Sequence, residues 1–306
     1  MQRLLALFAL TILGFSASGL AAGERQKLGY GRLFTNDLIG DGDDRWRTGS
    51  VASSRVWGPE WTGRAPARFG EVLELRFGGA IIAPENLRAP AAGDRPYAGA
   101  LSLGLHTPFT AAGLDMSVGA DLVFVGPQTG LDDFQRALHD LLNSPQPSSV
   151  LTAGQVGNGI HPTLVAEAGR DLALGNRVRL RPFVEGRLGI ETLARVGADL
   201  SIGRVTEGEL LVRDPVTGQR YRVVRGGRAG VEFLLGADFT YVEDSAYFPS
   251  ASGVIATDTR ARLRMGLNWQ SRQGYGLFYG LTWLDKEFET QRESQVVGSL
   301  RLQFTF

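Results

Sequence analysis

The sequence predicts an all-β fold: a transmembrane antiparallel β-barrel of about 12 strands, with a short helix in an outer-rim loop. Three observations predict it. Apolar and polar residues alternate with period 2 over segments near 10 residues long, whereas strands of soluble sandwiches run about 5 to 6 residues and turn their polar face to water. Aromatic residues, among them Trp57, Tyr97, Tyr241, Trp269, Tyr275, Tyr279 and Trp283, gather towards the strand ends, as in the girdles of an outer-membrane barrel. After the N-terminal stretch no segment resembles a transmembrane helix, and lipid admits only helices and closed barrels, because only these satisfy every backbone group.

Residues 1–23 have the parts of a secretory signal peptide: Arg3, an apolar run over residues 4–14, and small residues at Gly19, Ala21, Ala22 and Gly23. Cleavage there leaves roughly 285 residues, read as one barrel domain over 24–306. The chain has no cysteine, which excludes disulfides and thiolate metal sites. Lys+Arg and Asp+Glu both total 32, so no net field points to nucleic acid. An exported chain of this kind belongs in the outer membrane of a Gram-negative bacterium.

The alternation places strands near 27–35, 47–58, 69–81, 96–107, 113–125, 161–171, 177–189, 194–204, 228–241, 256–270, 274–285 and 294–306. The even count suits a single-chain bacterial barrel. In 258–269, Ala261, Leu263, Met265, Leu267 and Trp269 alternate with Asp258, Arg260, Arg262, Arg264 and Asn268. The last strand alternates Leu300, Leu302, Phe304 and Phe306 against Arg301, Gln303 and Thr305. PFTAAG, ALGN and SRQG read as short periplasmic turns. Residues 205–227 resemble a small hairpin about PVTG; they are either an unusual periplasmic excursion or a sign that the count slips by one there.

Strand parity, with both termini in the periplasm, sends several polar residues to the outer rim. Asn36 and Asp37 end the first strand, 38–45 form a Gly/Asp-rich loop, and Thr48 opens the second strand. The third rim connection begins after residue 125 as GPQTGLDDFQRALHDLL, a short amphipathic helix in which Gln135 and His139 share one face. Histidine, carboxylate, amide and hydroxyl groups at one end are the parts of a hydrolytic site. Each alone is ordinary: a loop histidine is usually solvated, and Asn-Asp at a strand end is usually turn chemistry. The Asp41, Asp43, Asp44 cluster lacks EF-hand spacing. His106 and His161 read as structural.

At these residues the sequence resembles the lipid A 3'-O-deacylases of the Gram-negative outer membrane. The matching pieces are Asn36-Asp37, Asp44-Arg45 and Thr48-Gly49, then GDRPYAG at 93–99, VGPQTG at 125–130, Gln135-x-x-x-His139, and GLTWLDKEFE at 280–289. The resemblance implies a twelve-stranded barrel that hydrolyses the ester-linked 3'-acyl chain of lipid A, with Ca²⁺ as cofactor and lipopolysaccharide and outer-membrane lipid as partners. It implies that His139 activates water, that Gln135 supports the same helix face, and that Asp37 binds the metal. It also implies that Asn36 and Thr48 belong to the catalytic site and that Arg95 contacts a lipid A phosphate. Arg47 stands where that family usually has tyrosine.

These expectations describe a carboxylic ester hydrolase acting as a monomer, with water rather than a serine as nucleophile; the one nearby serine is Ser50. The competing reading is a porin-like barrel whose inward arginines line a channel, or a barrel that binds lipopolysaccharide without hydrolysing it.

Overall fold

A computed structural model describes residues 25–304, so the expected signal peptide at 1–23 and the terminal Thr305 and Phe306 lie outside the described residues. The chain forms β1 (Gln26–Asn36), β2 (Trp46–Gly58), β3 (Leu73–Ala83), β4 (Ala98–Ala111) and β5 (Leu114–Val125). Helices α1 (Leu131–Leu142) and α2 (Ser149–Ala153) come next, then β6 (Gly159–Gly169), β7 (Val178–Leu188) and β8 (Glu191–Ile202). A small pair, β9 (Leu210–Arg213) and β10 (Arg220–Val224), precedes β11 (Gly230–Ser245), β12 (Thr259–Gln270), β13 (Gly276–Leu284) and β14 (Gln295–Gln303). Every long strand pairs antiparallel with its neighbours, β1 with β14 and β6 with β7, so the sheet closes. Each of the twelve predicted strands overlaps one of the twelve long strands of the barrel.

The alternation sorts side chains inside out relative to a soluble protein. Leu263 and Met265 of β12 are 55% exposed, while Arg262 and Arg264, which alternate with them, are buried. Buried charges are costly unless paired. Here they are paired in the lumen: Arg262 with Asp238 at 3.0 Å, Arg264 with Asp199 at 2.7 Å and Arg195 with Glu185 at 2.9 Å. His106 also faces inward, its Nε2 2.8 Å from Asp121 Oδ1. The β4–β5 hairpin turns on Ala112 and Gly113, both at positive φ as a tight two-residue turn requires.

The strand count holds through 205–227, and the hairpin lies inside the barrel. It leaves β8 and rejoins β11 at the end where β1 begins and β14 stops, and folds up the lumen. Arg213 bonds Glu167 and Asp199 on the wall, each at 2.9 Å. Tyr221 meets Ser54 at 2.7 Å. At the tip, Arg262 donates to the carbonyls of Pro215 and Val216, both at 3.0 Å. Gly31 of β1 shows how close the fit is, since a Cβ there would lie 2.0 Å from the carbonyl oxygen of Arg222. Leu33, Ala52, Val56, Val72 and Phe278 from the wall pack with Leu210, Val212, Tyr221 and Val223 in one core. The hairpin divides the lumen into a cavity of ≈ 120 Å³ towards the outer rim and one of ≈ 200 Å³ below. A filled lumen argues against the open channel of a porin.

Candidate active site at the outer rim

The site is built where β1 ends. Thr35 faces the lumen and bonds Ser299 at 2.8 Å, so the next residue, Asn36, takes the outward parity of the exposed Phe34. Its side chain spans the rim: Nδ2 donates to the Thr48 carbonyl and Oδ1 accepts from the Leu38 amide, both at 2.8 Å. The loop after Asp37 folds back along the outer wall, where the Asp41 amide bonds the Val296 carbonyl at 2.9 Å and Tyr279 Oη donates to the Ile39 carbonyl at 2.8 Å.

Asp37 is fully buried. Its Oδ2 accepts from the Arg45 amide at 2.9 Å, and its Oδ1 has no protein partner. Burial, reinforced by the nearby Asp44 charge, pushes its carboxyl up to about 8. A buried, unsatisfied carboxylate oxygen at a rim calls for a ligand.

Thr48 is presented by a bulge. The β2–β3 register shifts between Trp46 and Gly49, and Trp46 adopts φ 48 while its ring is buried in the core. Bulges re-aim side chains in this way next to functional sites. Gln295 ties the bulge to β14, donating to the Arg45 carbonyl at 2.6 Å and accepting from the Arg47 amide at 3.0 Å. The result separates neighbours: Thr48 Oγ1 donates to Asp44 Oδ1 at 2.5 Å, while Arg47 lines the lumenal cavity and bonds Glu287 at 2.9 Å.

The helix arrives from the opposite side. Gly126 and Gly130 hold positive φ around the 3-10 turn Pro127–Thr129, and α1 follows directly at Leu131. Gly99 of β4 shares the outward parity of Leu103 and Leu105, and a Cβ on it would lie 2.6 Å from Thr129 Oγ1 and 2.9 Å from Leu131 Cβ. That close approach explains a glycine in GDRPYAG. The helix buries its polar pair, Gln135 and His139. His139 Nδ1 lies 2.6 Å from the Pro145 carbonyl, to which it can only donate, which leaves Nε2 as the acceptor nitrogen. Nε2 lies 3.3 Å from Asp44 Oδ2 and 3.5 Å from Gln135 Nε2; Gln135 Oε1 is buried and without partner.

His139, Gln135, Thr48, Asn36 and Asp37 therefore meet as expected at one rim. Asp44 joins them, a residue of the matching Asp44-Arg45 piece to which the resemblance assigns no role of its own: Asp41 and Asp43 pair with Arg45, and only Asp44 turns towards the helix. Tyr97 is a second addition, with a buried hydroxyl that lacks a partner and feels the charges of Asp132, Arg136 and Asp44. Burial holds its phenol above the ordinary range, so it stays a neutral donor.

Arg95 is buried inside the fold, with Nη1 paired with Glu287 and the guanidinium over the Phe248 ring, while its Nε and Nη2 have no protein partner. Glu287 collects Arg47, Arg95 and Arg260, which hold it below the usual carboxylate range against the opposing effect of burial. Ser50 lines the lumenal cavity, across the wall from His139.

Residues 4–306 match the family described as Outer membrane protein LpxR. No curated protein matches the chain. Among solved structures, LpxR from Salmonella typhimurium has a TM-score of 0.74 at 17% identity, over 91% of this chain and 100% of that one. The NanC porin has a TM-score of 0.41 at 6% identity, over 91% and 100%. The KdgM porin in complex with disordered oligogalacturonate reaches 0.39 at 5%, over 90% and 99%. With the family matched along nearly the whole sequence and the barrel closed with apolar residues outward, this chain is a member of the LpxR family of outer-membrane proteins.

Proposed function

We propose that the chain hydrolyses the ester-linked 3'-acyl chain of lipid A, with His139 as general base. The observation that carries this reading is the pairing of the two imidazole nitrogens. Pro145 takes the Nδ1 proton, and Nε2 is left facing Asp44 and Gln135 at the outward side of the rim. An imidazole fixed in that tautomer takes a proton from water. The Nε2–H then formed faces the Asp44 carboxylate, which stabilises the imidazolium; Thr48 holds the other oxygen of that carboxylate. Among the described residues no serine hydroxyl is hydrogen-bonded to the His139 ring, whose partners are Pro145, Gln135 and Asp44, which supports water as the nucleophile and no acyl-enzyme.

The residues also fit a hard cation such as Ca²⁺. Among the described residues no three acidic or histidine side chains converge on one point. The carboxylates at hand are Asp37, with its unpartnered Oδ1, and Asp44; Gln135 Oε1 and the Thr48 hydroxyl would complete the set with main-chain oxygens. Mixed oxygen ligation of this kind suits calcium. When bound, the cation would polarise the ester carbonyl.

The site lies on the outer wall rather than in the lumen, the position from which a lipid in the outer leaflet is reached. Arg95 enters this proposal as the cation that holds Glu287 in place. The test is mass spectrometry of lipid A from cells expressing the protein or His139→Ala. The wild type should remove one acyl chain, and the variant should lose about 10²–10⁴-fold in rate. Unchanged deacylation by His139→Ala in a correctly folded barrel would remove the assignment.

A further inference from the structure

Helix α1 is amphipathic in the wrong sense for a helix covered by protein. At about 100° per residue its side chains fall into three sectors. Gln135 and His139 form the buried one. Asp132, Asp133, Arg136 and Asp140 form a second. The third is Phe134, Leu138, Leu141 and Leu142, on the side away from the charges, and it is open: Leu141 is 81% exposed and Phe134 58%. A helix in water buries its apolar stripe; this one buries its polar pair.

The place of the stripe says what covers it. The helix starts against the outward Gly99 of β4, so it stands on the wall's outer side, not over the lumen. Across Asn36 from it, Leu38 and Ile39 form a second exposed apolar pair. Ile39 lies on outward Gly298 of β14, whose Cβ would sit 2.1 Å from the Ile39 carbonyl oxygen, and is held there by Tyr279. Both patches continue the outward apolar surface of the strands, through Phe34, Leu103 and Ile160. That surface is the lipid-facing belt of an outer-membrane barrel.

We infer that the apolar stripe of α1 and the Leu38–Ile39 pair are immersed in the acyl chains of the outer leaflet, as two shoulders on either side of the polar cluster. The occupant is membrane hydrocarbon. The charged sector of α1 then faces water, the arrangement of an interfacial helix. Immersion does not depend on the reaction proposed for His139, and its failure would leave that proposal standing.

The chain lacks cysteine, so single cysteines can be placed without competition. Phe134→Cys, Leu141→Cys and Ile39→Cys, with Asp133→Cys and Asp140→Cys as controls, would carry an environment-sensitive fluorophore. Each protein is reconstituted in phosphatidylcholine vesicles with or without brominated acyl chains, after heat-modifiable gel migration has shown a folded barrel. Labels at 134, 141 and 39 should lose most of their emission to brominated lipid, while those at 133 and 140 should lose theirs only to aqueous iodide. Iodide quenching at 134 and 141 without lipid quenching would overturn the inference. So would energy transfer between labels at 141 on two proteins in place of lipid quenching, since a second copy would then be the cover. Scanning all positions of 131–142 should return a helical period in lipid quenching, a readout that survives the loss of any single variant.

Discussion

His139 Nε2 stands 3.3 Å from Asp44 Oδ2 while Nδ1 is bound to the Pro145 carbonyl at 2.6 Å. The carboxylate faces the nitrogen that gains the proton, not the one that already has it. Such a carboxylate contributes most after proton transfer, when the ring is positive. In the resting state it sits beside a lone pair, in direct contact with no room for a water between them, so a water reaches Nε2 from the side.

Asp44→Asn should therefore lower kcat more than it raises KM. The amide keeps a partner for Thr48 and removes the charge, so the cost is that of one charge-assisted hydrogen bond, about 1.5–3 kcal/mol or roughly 10- to 150-fold in rate. Single-turnover deacylation of lipid A in detergent micelles separates the two parameters. A variant with unchanged kcat would reduce Asp44 to a loop residue.

Asp37 predicts both a cation and a pH dependence. Its carboxyl rises from 3.8 in the unfolded chain to about 8 in the folded, cation-free protein. Between these values the folded state keeps a proton that the unfolded state has released, so this contribution to stability falls as pH rises through the window. Calcium needs the carboxylate and so should displace that proton, with apparent affinity climbing with pH up to about 8. EDTA should suppress deacylation and Ca²⁺ restore it, and calorimetry in two buffers of different ionisation heat should detect the released proton. Asp37→Asn should abolish the calcium response; activity indifferent to chelation would sink the metal role.

Much of this site was legible because period-2 alternation both located the strands and assigned their ends. Parity alone carried Asn36, Thr48, Gln135 and His139 to one rim. The role of Asp44 beside His139 was not legible from the chemistry of the loop, because Asp41, Asp43 and Asp44 are alike in composition and are sorted only by where Arg45 points. The Arg95 ion pair was hidden for a related reason: its partner Glu287 is 192 residues away, and no local pattern marks a buried pair at that separation. The lumenal position of the hairpin had one local trace, the inward glycines Gly29 and Gly31 of β1, which look like ordinary strand glycines until the hairpin is seen against them.

The contact between barrel wall and helix can be tested apart from the chemistry. Gly99→Val should push Leu131 and Thr129 outward, since even a Cβ would lie 2.6 Å from the Thr129 hydroxyl. The strand itself accepts valine well, so the barrel should form and keep its melting behaviour. Deacylation should fall with the displaced His139. Wild-type activity in this variant would mean that α1 does not need the wall at Gly99 to place its base.

The hairpin makes the sharpest distinction between this barrel and a channel. Removing 209–225 and joining the ends with a short Gly/Ser linker takes away Arg213 and Tyr221, which fill the space between opposite walls. Glu167 and Asp199 then lose Arg213, yet Arg181 and Arg264 still pair with them at 3.4 and 2.7 Å, so the wall keeps most of its charge balance. The closed sheet, whose pairing does not involve the hairpin, should still form. Planar-bilayer recording should show no steady conductance for the wild type and discrete openings for the deletion. The deletion should keep deacylase activity, because the cluster at Asn36 and His139 lies on the outer wall and takes no bond from the hairpin. Steady conductance in the wild type would mean that the lumen opens in the membrane, and the porin reading would return.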